Sequence, residues 1–256
     1  MDIKHGQLPV PLPQDKFHKL DYQVMGQAFG LHTEMGNLWD EKEYQSELAL
    51  RCRTLGLDAV EEVPITVSHN GFSKTYFIDI LVNGSIYELK TTSAISNHHE
   101  AQTLNYLFLS NTQHGKIINF KPDSLTWRFI STTLHHECRM TYSTETIDWK
   151  PATEQGQSVF AITEDLLSKW GAYLSINLYK EALCHFLATP LENEHKRFIS
   201  LSDESILHIS GLEKRKNNLR HNLQKYLTRS HFSELLWINF NHNNIEFCSL
   251  NNSASK

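Results

Sequence analysis

The sequence predicts an α/β chain built on a mixed sheet flanked by helices. Three observations predict it. Apolar residues recur at helical spacing over the first fifty residues. Strand-like alternation then surrounds an Asn83-Gly84 pair. A further helical run separates that hairpin from two more strands.

The elements follow in order. Residues 1–16, with three prolines, read as a flexible arm. Leu20, Val24, Ala28 and Leu31 share a helix face, and Gly36 punctuates that run. Asp40 is a candidate N-cap for a second helix with Tyr44, Leu48 and Cys52 on one side and Gly56 at its end. Val63–Val67 is a candidate strand closed by His69-Asn70-Gly71. TYFIDILV and SIYELK flank Asn83-Gly84, the strongest short-range hairpin signal, because both turn residues need φ > 0. Residues 97–110 are helical, and KIINF and TWRFIST are two further strands. The expected boundaries are an arm over 1–16, a first domain over 17–145 and a second over 146–256.

Composition narrows the function classes. The chain has 256 residues, 40% of them hydrophobic and 21% charged, which is ordinary for one large domain or two small ones. No apolar run is long enough to span a membrane, and the polar N-terminus does not resemble a secretory signal. Four scattered cysteines suit reduced thiols, so a cytoplasmic location is expected. The formal net charge of −5 excludes a strongly basic coat, and any nucleic-acid contact must come from a local patch. Residues 1–145 carry the whole of that −5, and an acidic excess can mark a solvated face or a cation site.

The hairpin carries the charge that matters. Counting back from the two-residue turn puts Asp79 opposite Glu88, with Lys90 on the same face. Phe77, Leu81 and Ile86 beside these charges predict mostly buried strands. Two adjacent buried carboxylates are costly unless a proton or a cation lies between them. A hard divalent cation such as Mg²⁺ would resolve the conflict. A cross-strand salt-bridge cluster would also resolve it, and the hairpin alone leaves both readings open.

Asp79 followed by Glu88-Leu89-Lys90, between two helices, resembles the PD-(D/E)XK nuclease superfamily and its restriction-endonuclease-like fold. Within it the chain is similar to the GxxExxY group. The supporting residues are Glu41-Lys42-Glu43-Tyr44, Phe77 to Val82, Tyr87 to Lys90, His99-Glu100-Ala101-Gln102 with Tyr106, and Ile118-Asn119-Phe120. The similarity covers roughly residues 17–132. It departs at Leu38, where the group has a glycine, although Gly36 lies close by. The resemblance implies metal-dependent phosphodiester hydrolysis and leaves the substrate open; a Mg²⁺-dependent nuclease acting on DNA is the leading expectation. It also implies residue roles. Asp79, Glu88 and the Leu89 carbonyl would bind Mg²⁺ or Mn²⁺. Lys90 would orient the attacking water, Glu41 would approach the metal or its waters, and Gln102 would position phosphate or water. A catalytically inactive module of the same fold, binding nucleic acid or a protein, is the competing expectation.

A shift of about 120 residues brings a similar pattern back. Phe198-Ile199-Ser200 corresponds to Phe77-Ile78-Asp79, and Ile238-Asn239-Phe240 to Ile118-Asn119-Phe120. Gly171 and Tyr179 match Gly36 and Tyr44 at a shift of 135. The second half then reads as a degenerate copy in which Glu41, Asp79, Glu88 and Lys90 become Ile176, Ser200, His208 and Ser210. A chance match between unrelated α/β segments is the alternative. The expected assembly is a monomer acting as a pseudo-dimer, or a homodimer. Lys214, Arg215, Lys216, Arg220, Lys225 and Arg229 form a basic stretch that can hold a phosphate backbone or be a solvated face. The fifteen histidines show no metal-binding spacing, and no nucleotide-binding glycine loop occurs.

Overall fold

The computed structural model describes residues 1–189, 197–212 and 215–252. The chain divides into two compact units, residues 1–136 and 137–256. Each unit has its own mixed sheet.

In the first unit, β1 (Asp2–His5) precedes α1 (Gln14–Met35) and α2 (Glu41–Thr54). There follow β2 (Ala59–His69), β3 (Phe72–Val82), β4 (Ser85–Lys90), α3 (Asn97–Ser110), β5 (His114–Asn119) and β6 (Thr126–Ser131). The sheet order is β1-β2-β3-β4-β5-β6, and only β4 and β5 run parallel, because α3 is the crossover between them.

The N-terminal residues are not a free arm. Asp2–His5 pair antiparallel with Ser68–Ile65. The amide of Gly6 donates to the Pro64 carbonyl, and that of Val10 to the Gly84 carbonyl. The outer edge of a long β2 offers unpaired backbone groups, and these residues satisfy them.

Local rules explain the other elements. The Glu43 carboxylate accepts the Asp40 N–H at 3.0 Å, closing one half of a capping box on α2. Asn83 and Gly84 hold φ of 45° and 81°, the backbone that a two-residue hairpin demands. Leu20, Val24, Ala28 and Leu31 of α1 pack with Tyr44, Leu48 and Cys52 of α2 onto Ile80, Val82, Tyr87, Leu89 and Ile118 of the sheet. Tyr44 donates its hydroxyl to the Gly36 carbonyl at 2.7 Å and stacks on Phe120 with ring centroids 4.3 Å apart. That contact fixes the turn between α1 and α2, and with it the start of α2.

The boundary falls within the short helix α4 (His136–Arg139), and the second unit continues with β7 (Ser143–Ile147). Then come α5 (Glu154–Trp170), α6 (Ile176–Phe186), β8 (Phe198–Ser200), β9 (Ser205–Gly211), α7 (Lys216–Arg229), β10 (Glu234–Asn241) and β11 (Asn244–Asn251). The boundary falls before residue 145 because β7 pairs with β11 and so belongs to the second sheet.

The two units share a topology. In the first, β3-β4-β5-β6 pair antiparallel, parallel and antiparallel. In the second, β8-β9-β10-β11 do the same. Tyr179 repeats the Tyr44 contact: its hydroxyl donates to the Gly171 carbonyl, and its ring stacks on Phe240 at 4.7 Å. The 120-residue shift also carries β4–β5 pairs onto β9–β10 pairs, Glu88↔Ile117 onto His208↔Trp237. One assignment changes. Phe198, not Ser200, lies opposite His208, so Phe198 takes the register position of Asp79. Among the described residues, no helix is long and apolar enough to cross a membrane.

Candidate active site

The site lies where β3 and β4 stop pairing. Their ladder runs through Val82↔Ser85, Leu81↔Ile86 and Ile80↔Tyr87. Beyond Ile80 the strands part, and side chains take over the backbone groups. The Asp79 carboxylate accepts the Leu89 N–H at 2.7 Å, and the Glu88 carboxylate lies 3.4 Å from the Asp79 amide nitrogen. Phe77, expected to be buried beside the charges, is 50% exposed, because β4 no longer covers β3 at that level. The face above the carboxylates is therefore open on one side.

Lys90 is the centre of the cluster. Its Nζ is 3.3 Å from Glu41 Oε1, 3.4 Å from Asp79 Oδ2 and 3.6 Å from Glu88 Oε2. It also donates to the Leu89 carbonyl at 2.6 Å. Glu41 reaches it from the first turn of α2, the position set by the Tyr44 contact. Glu88 is fully buried, and its Oε2 has no hydrogen-bond partner. Asn119 braces the end of β4: its side-chain oxygen accepts the Thr92 N–H at 3.1 Å, and its amide donates to the Thr92 carbonyl at 2.8 Å.

Burial sets the electrostatics. It pushes the Glu88 carboxyl well above the usual carboxylate range, and the charge of Asp79 pushes it further. Burial raises Asp79 as well, against the pull of Lys90 and the Leu89 amide. Burial disfavours the Lys90 ammonium, but Glu88, Asp79 and Glu41 together outweigh it and hold the group charged. The cluster is an ammonium surrounded by carboxylates that resist joint ionisation.

The donor set suits a hard divalent cation. Asp79, Glu88 and the Leu89 carbonyl offer oxygen only, and Glu88 Oε2, ion-paired with Lys90 at 3.6 Å, makes no hydrogen bond. As the side chains stand, no group of three or more His, Cys, Asp or Glu is gathered tightly enough to hold a metal among the described residues. The carboxylates close on Lys90 instead.

Glu41, Asp79, Glu88, Leu89 and Lys90 thus meet in one place. Gln102 does not join them: its amide donates to the Tyr106 hydroxyl at 2.9 Å. Burial raises the Tyr106 phenol, and the Glu88 charge adds to that shift. One further residue was not singled out from sequence. Gln45, buried, donates its amide to the Asp79 carbonyl at 2.8 Å. The signal for it was its spacing, one helical turn after Glu41 on the same face.

The corresponding place in the second unit holds a closed polar network. Trp237 donates to the Ser210 hydroxyl at 2.8 Å, Ser210 to Asn239 at 2.9 Å, and Asn239 to Glu246 at 3.0 Å. Lys216 and Arg220 of the basic stretch are engaged by Glu246 and Asp148. Lys225 and Arg229 are exposed on α7, Arg215 is exposed just before it, and Lys214 lies outside the described residues. Half-exposed Tyr226 stacks on Phe198 at 4.4 Å.

No curated protein and no solved structure matches the chain. Residues 18–129 match the family described as the PD-(D/E)XK nuclease superfamily, and Glu41, Asp79, Glu88, Lys90 and Gln102 all fall within that span. The segment that builds the Lys90 cluster therefore carries the fold of the PD-(D/E)XK nuclease superfamily.

Proposed function

We propose that the chain is a divalent-metal-dependent nuclease of the GxxExxY type that hydrolyses phosphodiester bonds in DNA. The observation that carries this reading is the convergence of Asp79, Glu88, Glu41 and the Leu89 carbonyl on one ammonium, within the superfamily segment. A bound Mg²⁺ or Mn²⁺ would supply Lewis acidity and a more acidic water. Asp79, Glu88 and the Leu89 carbonyl would hold that cation. Lys90, released from the carboxylates, would orient the attacking water and stabilise charge developing on the phosphoryl oxygens. Glu41 would accept hydrogen bonds from bound water. Gln102, freed from Tyr106, would reach a phosphate oxygen. The second unit, read as a degenerate copy, would contribute binding through Lys225 and Arg229 of α7.

A second reading is a nuclease-fold module that binds nucleic acid or a protein without cutting. The side chains as they stand favour it, because Lys90 already neutralises the cluster and no three ligands are gathered for a metal. The family match and that geometry support this reading more directly. The oxygen-only donor set and a Glu88 Oε2 that makes no hydrogen bond are what support hydrolysis.

The test is a panel of single-stranded and duplex DNA and RNA, scored for cleavage with Mg²⁺ or Mn²⁺ and for retention with chelator. Cleavage lost in Asp79→Asn supports the nuclease. Retention without cleavage supports the binding module. Neither activity on any substrate removes nucleic acid as the partner.

A further inference from the structure

Asp79 sits at a break in both of its neighbouring ladders. Between Ala59↔Val82 and His69↔Phe72, every position of β2 and β3 is paired except one, Glu62 opposite Asp79. Glu62 has φ of 52°, left-handed backbone that a side-chain-bearing residue rarely adopts in a strand. On the other side, the β3–β4 ladder ends at Ile80↔Tyr87, one residue short of Asp79. The backbone of Asp79 is thus released by both strands. It is held by side chains instead: Gln45 donates to its carbonyl at 2.8 Å, and Glu88 lies 3.4 Å from its amide nitrogen.

We infer that Gln45 is a positioning residue, which fixes Asp79 in a kink made by Glu62 so that its carboxylate faces Leu89 and Lys90. A regular ladder at this level would satisfy the Asp79 carbonyl from β2 and leave Gln45, buried in α2, without that partner. The same helix face carries Glu41 to Lys90, so one rigid turn of α2 sets two corners of the cluster. Local strain held by surrounding structure is a recurring feature of functional sites. The functional weight of the inference rests on the cation reading above, but the positioning itself is measurable without metal.

The experiment uses the full chain in three variants. In metal-free protein, amide hydrogen exchange at Leu89, whose N–H donates to Asp79, should rise at least about tenfold in Gln45→Met, with Ile118 on β5 unchanged. Mn²⁺ affinity, read by the paramagnetic signal of free Mn²⁺, should fall by about 10–100-fold, as for other residues that orient a metal ligand. Glu62 is exposed, so its variants are expected to fold even if Gln45→Met does not. Glu62→Gly, which tolerates left-handed backbone, should leave Leu89 exchange as in wild type. Glu62→Val, which disfavours that backbone, should speed it. Unchanged Leu89 exchange in both Gln45→Met and Glu62→Val overturns the inference. Wild-type protein that takes up no Mn²⁺, while Leu89 exchange still rises in Gln45→Met, overturns the cation reading and supports the positioning.

Discussion

Replacing Lys90 with methionine removes the one cation from a group of three carboxylates while keeping most of the apolar stem. Lys90 is 7% exposed and Glu88 is fully buried, so water can do little to screen what remains. Breaking a buried ion pair by deleting one partner costs about 3–5 kcal/mol. At roughly 3–4 °C per kcal/mol for a unit of this size, the first unit should melt about 10–20 °C lower at pH 8. The loss should depend on pH, and its sign follows from Glu88. A folded-state pKa above the unfolded value means that the folded protein holds the proton longer. Stability from this group is therefore complete below the unfolded value, near pH 4.5, and falls as pH rises toward the folded one. Without Lys90 the folded value rises further, so the fall extends to higher pH and becomes deeper. At pH 5 the carboxyls can carry protons and the penalty should shrink. The assay is a pair of metal-free thermal melts of wild type and Lys90→Met at pH 5 and pH 8. A shift under about 2 °C at pH 8, or equal shifts at the two pH values, would refute the claim that Lys90 is the cluster's counter-charge.

Other charged contacts in the two units give further expected outcomes. Asp79→Asn keeps an acceptor for the Leu89 N–H but removes one of the three carboxylate charges, the one that repels Glu88 most, so the metal-free protein should melt at or slightly above wild type and lose any response to Mg²⁺. Asp21→Leu should lower the melting point of the first unit by an amount comparable to Lys90→Met, because it strands the buried Lys116 ammonium that Asp21 contacts at 2.5 Å. If α7 holds a phosphate backbone, removing Lys225 and Arg229 together should lower the slope of log affinity against log salt by nearly two, measured by fluorescence anisotropy. Lys216→Ala, whose charge is already engaged by Glu246, should leave that slope unchanged.

Much of the first unit was legible because local rules and tertiary packing agree there. The Asn83-Gly84 turn fixes a register, and that register alone puts Asp79, Glu88 and Lys90 on one face, where they meet in the structure. Glu41 was legible only through resemblance, since nothing local says that the first turn of α2 reaches Lys90. The kink at Glu62 was hidden, because a glutamate gives no signal for left-handed backbone. Gln45 was hidden for a related reason: its partner is a backbone carbonyl freed by that kink. The N-terminal strand was missed because its prolines and polar residues read as a loop, while its stability comes from the edge of β2. In the second unit, spacing conveyed the element order, but the three-residue β8 lies two positions from the expected register, and only its pairing with β9 assigns Phe198 to the place of Asp79.

The most direct measurement is anomalous X-ray diffraction from crystals of the full chain soaked in Mn²⁺. The expected result is a peak bound by Asp79, Glu88 and the Leu89 carbonyl, with Lys90 Nζ moved off that carbonyl, from which it is now 2.6 Å. A fully diffracting, Mn²⁺-saturated crystal with no peak there, and with Lys90 still held by all three carboxylates, would contradict it and leave the cluster as a structural salt bridge.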